Sequence, residues 1–127
     1  FQRAVISLCD NLEEDRGGIG EGKGKYDKNI RSNSVYGIGN SDFKTLVFEW
    51  TKKANQEADW NFDISDIQDL QLSKYREGEK YSWHFDLQLK IPGRMVVFPS
   101  YYYHRITPVT SGVRYSLTGW VTGDPFK

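Results

Sequence analysis

The sequence predicts a mainly β fold, a sandwich or jelly roll, with one helix in its N-terminal half. Apolar residues recur at helical spacing over residues 41–58. After Trp60 the chain consists of short apolar and aromatic runs separated by turn residues, a pattern typical of strands. Aromatic residues make up 15% of the chain and concentrate in this second half, which favours a β-rich core or a ligand pocket. With 127 residues, we expect one domain over residues 1–127.

Before Trp60 the pattern predicts a strand, a loop and a helix. The apolar run at residues 4–8 predicts a short strand. The polar and glycine-containing residues 13–33 predict a surface loop. A helix is predicted over 41–58, with Ser41 and Asp42 as its N-cap signal. The apolar positions at helical spacing are Phe43, Leu46, Val47, Trp50, Ala54 and Ala58.

After Trp60 the sequence predicts extended segments joined by turns. The segments are residues 67–75, 81–86, 95–98, 101–107 and 113–121. Turns are predicted at residues 76–79 and 108–112. Four side chains of the last segment alternate onto one face, namely Arg114, Ser116, Thr118 and Trp120. A jelly roll needs eight strands, yet only 17 residues separate Asp86 from His104. We therefore expect either an abbreviated barrel or residues missing from the sequence after Asp86.

Composition narrows the class of protein. The 17 basic and 17 acidic residues give zero net charge, which disfavours nucleic acid or an anionic membrane as partner. Cys9 is the single cysteine, so an internal disulfide is excluded. No apolar run approaches the roughly 20 residues of a membrane span, and no signal segment opens the sequence. We expect a cytoplasmic protein, with its oligomeric state left open.

Both histidines of the chain fall in one pattern, His84-Phe-Asp86 followed by His104. Two imidazoles and one carboxylate are the ligand set that holds non-haem Fe(II) and leaves coordination sites open. His84 and Asp86 lie two residues apart, so on a strand their side chains face the same side and can converge on one ion. The same ligands can hold Zn²⁺ with water, and this alternative stays open.

Arg114 follows His104 by ten residues and is a candidate partner for a carboxylate. A buried arginine needs an anion, and Asp86 would already be committed to the metal. A carboxylate ligand would therefore satisfy Arg114. Tyr75 and Tyr81 flank the turn at residues 76–79, where either phenol could donate to the same anion. Packing as a core aromatic explains either tyrosine equally well.

Residues 75–86, with the sequence YREGEKYSWHFD, resemble the motif Y-x-x-G-x-x-Y-x-x-H-x-D of the prolyl 4-hydroxylase-like 2-oxoglutarate/Fe(II) oxygenases. Residues 93–100 and 104–120, GRMVVFPS and HRITPVTSGVRYSLTGW, resemble the second half of the same signature. The most similar type is the PKHD-type hydroxylases of bacteria and phages. Arg31-Ser32 is a fainter match to an N-terminal segment of the family. The resemblance covers about residues 67–126.

The resemblance implies a double-stranded β-helix, the jelly-roll fold of cupin-like proteins, with supporting N-terminal helices. It implies Fe(II), 2-oxoglutarate and dioxygen as cofactors and co-substrates, with ascorbate as a candidate reductant. The implied metal ligands are His84, Asp86 and His104. The implied co-substrate residues are Arg114, which would pair with the distal carboxylate of 2-oxoglutarate, and Tyr75 and Thr118. The implied pocket residues are Trp120, Tyr81 and Tyr102.

The implied activity is hydroxylation of a C–H bond, with proline in a peptide or protein as the expected substrate. An oxygenase acting on a free amino acid or another small molecule is one alternative. A non-catalytic cupin-like module that holds a metal is another. The family pattern breaks after Asp86, where residues 87–90 follow directly and a hairpin found in relatives is missing. The resemblance favours a loop and hairpin that are missing from the sequence at this point; a real deletion is the alternative and would bring both closure of the barrel and activity into question.

Overall fold

The structure is a computed structural model that describes residues 2–17, 26–82, 95–99 and 102–124. Its helices are α1 (Gln2–Ser7), a 3-10 helix (Leu8–Asn11) and α2 (Ser41–Glu57). Its strands are β1 (Asp15–Arg16), β2 (Ser34–Ile38), β3 (Ile64–Ile67), β4 (Leu70–Tyr75), β5 (Arg114–Thr118) and β6 (Val121–Gly123). Antiparallel sheets and one long helix give the β-rich architecture that the sequence predicts, whereas the double-stranded β-helix stays a prediction.

The strands form two sheets. The order in the larger sheet is β1-β2-β4-β5, and β3 pairs with β6 in the smaller one. β1 is antiparallel to β2, and β3 is antiparallel to β6 with Ile67 opposite Val121. Gly123 permits this second pairing, because a Cβ at that position would collide with the carbonyl oxygen of Asp63.

The chain divides into two compact units. The first consists of the described residues of Phe1–Tyr36 and Leu72–Ser116, and the second of those of Gly37–Gln71 and Leu117–Lys127. The buried apolar residues of the first unit are Val5, Tyr36, Leu72, Tyr75 and Ile106. Those of the second unit are Ile38, Ile67 and Leu70. None of the helices in the described ranges is both long enough and apolar enough to span a membrane.

The N-terminal apolar run is helical, so the strand predicted at residues 4–8 is wrong. In α1 the hydroxyl of Ser7 donates to the carbonyl of Ala4 at 2.8 Å, and Val5 is the buried residue of the helix. A run of five mostly apolar residues fits a short helix as well as a short strand, because periodicity cannot distinguish helix from strand over so few residues.

Helix α2 begins and ends close to the predicted bounds of 41–58, but its N-cap is Asn40. The side-chain oxygen of Asn40 accepts hydrogen bonds from the backbone N–H groups of Asp42 and Phe43, at 3.0 and 3.1 Å. A capping side chain satisfies N–H groups that lack a partner inside the helix. The cap of α2 therefore lies one residue before the predicted signal, while the helix itself begins at Ser41 as predicted.

The buried face of α2 is more polar than its apolar spacing predicts. Thr51 and Asn55 are buried, while Leu46 and Trp50 are exposed. Asn55 donates to the carbonyl of Phe62 at 2.9 Å and accepts from its backbone N–H at 3.1 Å. Because both polar ends of the amide are satisfied, burial of Asn55 carries little penalty.

The residues before α2 contain more structure than the sequence predicts. β2 is not predicted, and part of the predicted loop at residues 13–33 forms β1. The same stretch buries Arg31 and Asn33, which are joined by a hydrogen bond from Nε to Oδ1 of 2.7 Å. The prediction of a surface loop is therefore wrong for these residues. Its glycine-rich part, residues 18–25, lies outside the described residues.

The first extended segment of the second half is confirmed over residues 70–75, and so is the turn that follows it. β4 covers those residues, while Ile67 ends β3, a strand of the smaller sheet. At residues 76–79 the N–H of Glu79 donates to the carbonyl of Arg76 at 2.9 Å, and Gly78 adopts a φ of +80°. A positive φ favours glycine, which explains its place in this turn.

Later segments differ from the prediction. The described residues of segments 95–98 and 101–107 contain no strand, and Met95 and Val96 are exposed rather than buried. Segment 113–121 divides into β5 and β6 with a break at Gly119. A Cβ at Gly119 would lie 2.7 Å from Leu70, so close packing accounts for the glycine. Apolar runs without alternation do not distinguish a buried strand from an exposed irregular segment.

A hydrogen-bonded network around Glu14 joins β2 to the turn after β4. Glu14 accepts from the hydroxyls of Ser34 and Tyr36, at 2.6 and 2.7 Å. Arg76 donates to Ser34 at 2.7 Å and to the Glu14 carboxylate at 3.3 Å. The hydrogen bonds from Ser34 and Tyr36, together with the charge of Arg76, lower the pKa of Glu14 from 4.5 to about 2. The ionised carboxylate therefore stabilises this part of the fold.

We expect Glu14→Gln to change how stability depends on pH. Because the pKa of Glu14 is lower in the folded chain than in the unfolded chain, its contribution is present above pH 4.5 and is lost as the pH falls toward about 2. The free energy of unfolding, measured by urea titration, should differ between wild type and variant at neutral pH, and the difference should shrink across that acid range.

The matched control is Glu57→Gln. Glu57 is exposed on α2 and lies 3.7 Å from Lys53, and surface ion pairs contribute little to stability. We expect a small difference from wild type at every pH. A difference for Glu14→Gln that stays constant from neutral to acid pH would contradict the role of the ionised carboxylate.

Candidate functional site

Backbone pairing connects Tyr81 with the segment after His104. Tyr81 and Ile106 form an antiparallel bridge and exchange two N–H···O bonds of 3.0 and 2.8 Å. His104 precedes Ile106 by two residues, and His84 follows Tyr81 by three. The bridge therefore joins Tyr81 to the segment that contains His104.

The imidazole of His104 is held by one hydrogen bond and one ring contact. Its Nδ1 lies 3.0 Å from the carbonyl oxygen of Tyr102. A carbonyl oxygen can only accept, so Nδ1 carries the hydrogen, and in the neutral ring Nε2 then has the lone pair. The ring of Phe98 packs edge-on against the imidazole, with centroids 5.1 Å apart. A histidine whose other nitrogen donates to a carbonyl is held in the orientation that metal ligation requires.

Two of the three predicted metal ligands, His84 and Asp86, lie outside the described residues. Among the residues that the structure does describe, no three His, Cys, Asp or Glu side chains are close enough to hold a metal ion. The ligand set therefore stays a prediction. Its one described member, His104, has donor chemistry that fits Fe(II) as well as Zn²⁺.

Tyr75 and Arg114 lie on neighbouring strands. Tyr75 ends β4, and Arg114 begins β5, the next strand in the sheet. Tyr75 is 1% exposed, and its phenol hydrogen-bonds with the side chain of Ser73. Burial raises the pKa of the Tyr75 phenol, while the positive charges of Arg31 and Arg114 oppose that rise. The phenol therefore stays protonated at neutral pH and can donate to an anion.

Arg114 is chemically suited to bind a carboxylate. Its side chain is half-buried, and no carboxylate within residues 2–17, 26–82, 95–99 and 102–124 forms an ion pair with it. A guanidinium that is partly withdrawn from water gains from a bidentate anionic ligand. The charge of Arg114 acts on the protonated phenol of Tyr75. Together the two residues provide one cation and one neutral hydrogen-bond donor for such a ligand.

Three further residues are predicted to contact the co-substrate or to line the pocket, namely Thr118, Trp120 and Tyr102. Thr118 ends β5, and Trp120 lies beyond the strand with its side chain exposed; both belong to the second unit. The interruption of the strand at Gly119 means that strand alternation does not extend to Trp120. Tyr102 is exposed in the first unit. The pocket roles of Thr118, Trp120 and Tyr102 stay predictions.

Sequence reasoning missed Arg31 as a member of this region. Arg31 is buried, and its guanidinium carbon lies 4.5 Å from the ring centroid of Tyr81. It also acts electrostatically on Tyr75. The signal available in the sequence was the faint family match at Arg31-Ser32, which carries no information about what the arginine contacts.

Comparison with known proteins gives one partial similarity. A stretch of 34 residues, 26% of this chain, is 53% identical to a PKHD-type hydroxylase from Hyphomonas neptunium. The matched stretch spans 15% of the length of that hydroxylase. The chain matches no family model and no solved structure. The similarity suggests a relation to the PKHD-type hydroxylases on the basis of about a quarter of the chain.

Proposed function

We propose that this protein is an Fe(II)- and 2-oxoglutarate-dependent dioxygenase that hydroxylates a C–H bond, with a prolyl residue of a peptide or protein as its substrate. The observation that carries the reaction class is the 53% identity over 34 residues to a PKHD-type hydroxylase. The protonated phenol of Tyr75 and the half-buried guanidinium of Arg114 support the co-substrate assignment, because together they suit a carboxylate.

His84, Asp86 and His104 would hold Fe(II) in the proposed site. The carbonyl of Tyr102 fixes the hydrogen on Nδ1 of His104, which would leave Nε2 as the atom that binds the metal. When bound, Fe(II), 2-oxoglutarate and dioxygen would supply the oxidising chemistry, in which one oxygen atom of O2 enters the C–H bond and the other enters succinate as the oxo acid loses carbon dioxide. The chain would contribute ligand orientation and coordination positions left open for 2-oxoglutarate and dioxygen.

Arg114 would bind the distal carboxylate of 2-oxoglutarate, and Tyr75 would donate a hydrogen bond to it. Tyr75 is buried, so water competes little for that hydrogen bond. Ser73, also buried, lowers the pKa of the same phenol through a side-chain hydrogen bond and so opposes part of the effect of burial. The distal carboxylate would then be fixed before the oxo-acid end engages the metal, which is the pre-organisation that favours a productive complex.

Exposed aromatic rings beside His104 support a peptide substrate that contains proline. The rings of Tyr102 and Tyr103 are both exposed, and they immediately precede the proposed ligand. Proline-rich segments dock on surfaces lined by aromatic rings, because such segments are already extended and lose little entropy on binding. A proline ring would therefore find a suitable surface next to the proposed metal.

The test is succinate release by the 127-residue chain, supplied with Fe(II), 2-oxoglutarate and ascorbate. We expect release that requires iron and is stimulated by a proline-containing peptide, with one oxygen atom added to the peptide in its mass spectrum. Stimulation by free proline but not by the peptide would instead support a small-molecule oxygenase. Metal binding without succinate release under any of these conditions would contradict the proposal and support a non-catalytic metal-binding module.

A further inference from the structure

Arg31 is buried in the first unit, where Asn33 and Gly17 enclose its side chain. Its side chain is 7% exposed, and its Nε donates to the side-chain oxygen of Asn33 at 2.7 Å. Asn33 is itself buried and donates to the carbonyl of Ser34 at 3.1 Å. Gly17 packs directly against this pair, because a Cβ there would collide with the side chains of both Arg31 and Asn33. The position of the guanidinium is thus fixed from several sides.

Both the backbone and the side chain of Arg31 contact Tyr81. The two residues form an antiparallel bridge, flanked by hydrogen bonds from Ser32 N–H to Lys80 at 2.9 Å and from Ser82 N–H to Ile30 at 2.7 Å. The guanidinium carbon lies 4.5 Å from the ring centroid of Tyr81, the geometry of a cation–π stack. The ring of Tyr81 is therefore held by Arg31 on one face, while its backbone is paired to the segment after His104.

The charge of Arg31 also reaches Tyr75. It opposes the rise in the Tyr75 pKa that burial causes, as the charge of Arg114 does. Tyr75 and Tyr81 are the residues on either side of the turn at 76–79. Arg31 thus stacks on the ring of Tyr81 and acts electrostatically on the phenol of Tyr75.

We propose that Arg31 is a positioning residue for the co-substrate, which orients Tyr81 by stacking and supports Tyr75 beside Arg114 without itself contacting 2-oxoglutarate. This inference rests on the function proposed above. A merely structural arginine would stabilise the fold and leave the affinity for 2-oxoglutarate unchanged. A positioning arginine changes that affinity even where the variant remains folded, because the phenols lose their orientation.

The experiment measures 2-oxoglutarate binding by calorimetry on protein loaded with Mn(II), which does not turn over under nitrogen. We expect Arg31→Gln to weaken binding about tenfold or more, the scale of losing a supporting contact around a site. Arg31→Lys should show a similar loss, because lysine keeps the charge but can provide neither the planar stack nor the Nε hydrogen bond. Mn(II) binding itself should be retained in both variants.

The matched control is Arg16→Gln. Arg16 lies over the ring of Tyr26 at 5.0 Å, so it makes the same kind of contact on the surface, and its replacement should leave 2-oxoglutarate binding unchanged. Asn33→Ala provides a second probe that keeps the arginine but removes its anchor, and we expect weaker binding there also. If Arg31→Gln does not fold, the affinity of Asn33→Ala for 2-oxoglutarate provides the test in its place.

The outcomes separate the two proposals. The positioning role alone is overturned if the wild type binds 2-oxoglutarate and Arg31→Gln binds it with unchanged affinity. If Arg31→Gln does not fold, unchanged affinity in Asn33→Ala overturns the role instead. Full recovery of affinity in Arg31→Lys also overturns it, because charge would then suffice without stacking. A wild type that binds Mn(II) but no 2-oxoglutarate overturns the proposed function, and the positioning role with it.

Discussion

Replacement of His104 by alanine is expected to abolish iron-dependent succinate release while leaving the fold intact. His104 would provide one of three protein ligands, and its loss leaves the metal held by two. Losing even an outer partner of a metal ligand costs roughly 10- to 100-fold in affinity or activity, so the loss of the ligand itself should exceed that. The imidazole contacts Phe98 edge-on, and the free energy of unfolding should fall by only about 1 kcal/mol.

The measurement pairs succinate release with Fe(II) binding under nitrogen. His84→Ala and Asp86→Ala should give the same loss of both, since all three side chains are expected to serve one ion. Asp69→Ala is the matched control, because Asp69 is a carboxylate that lies in a surface ion pair with Lys44 at 2.8 Å. Iron-dependent turnover that survives removal of His104 or Asp86 would exclude the proposed ligand set.

The parts of the fold that the sequence predicts are those in which local chemistry determines the structure. Helix α2 has a capping residue and a long apolar period, and its bounds are predicted within one residue. The turn at residues 76–79 contains Gly78, whose positive φ few other residues adopt. In both cases the determining interaction lies within a few residues of sequence.

The parts that the sequence does not predict depend on contacts between distant residues. β2 alternates buried Ser34 and Tyr36 with less buried neighbours, but Ser34 is polar, and its burial depends on Glu14 and Arg76. The helical run at residues 4–8 escapes prediction for a different reason, because it is too short to have a period. Tertiary hydrogen bonds determine β2, and hydropathy contains no information about them.

The candidate site shows the same division. The sequence predicts Arg114 from its spacing and Tyr75 from its place beside the turn and from the family resemblance, and the two occur on neighbouring strands. The sequence does not predict a role for Arg31, because Arg31 stacks on Tyr81 and acts electrostatically on Tyr75, which lie fifty and forty-four residues further along the chain. Residues that contact a ligand follow motifs more closely than residues that position them, since positioning can be achieved by many arrangements.

Replacement of Arg114 by alanine is expected to raise the 2-oxoglutarate requirement by at least about 30-fold. Breaking a charge-assisted pair costs about 2–5 kcal/mol, and each 1.4 kcal/mol is a factor of ten. The lower end applies here, because Arg114 is half-buried and solvent screens part of its charge. Succinate release, measured as a function of 2-oxoglutarate concentration, reports the change. The affinity for Fe(II) should be retained.

Arg114→Lys should lie between wild type and alanine, because lysine keeps the charge but cannot pair in a bidentate manner. Arg3→Ala, which removes an exposed arginine of α1, is the control for a general change in net charge and should leave the requirement unchanged. A distal carboxylate bound elsewhere would show itself as an unaltered 2-oxoglutarate requirement in Arg114→Ala. That result would also remove the reason for Arg31 to support Tyr75, since the two phenols would then have no common anion to bind.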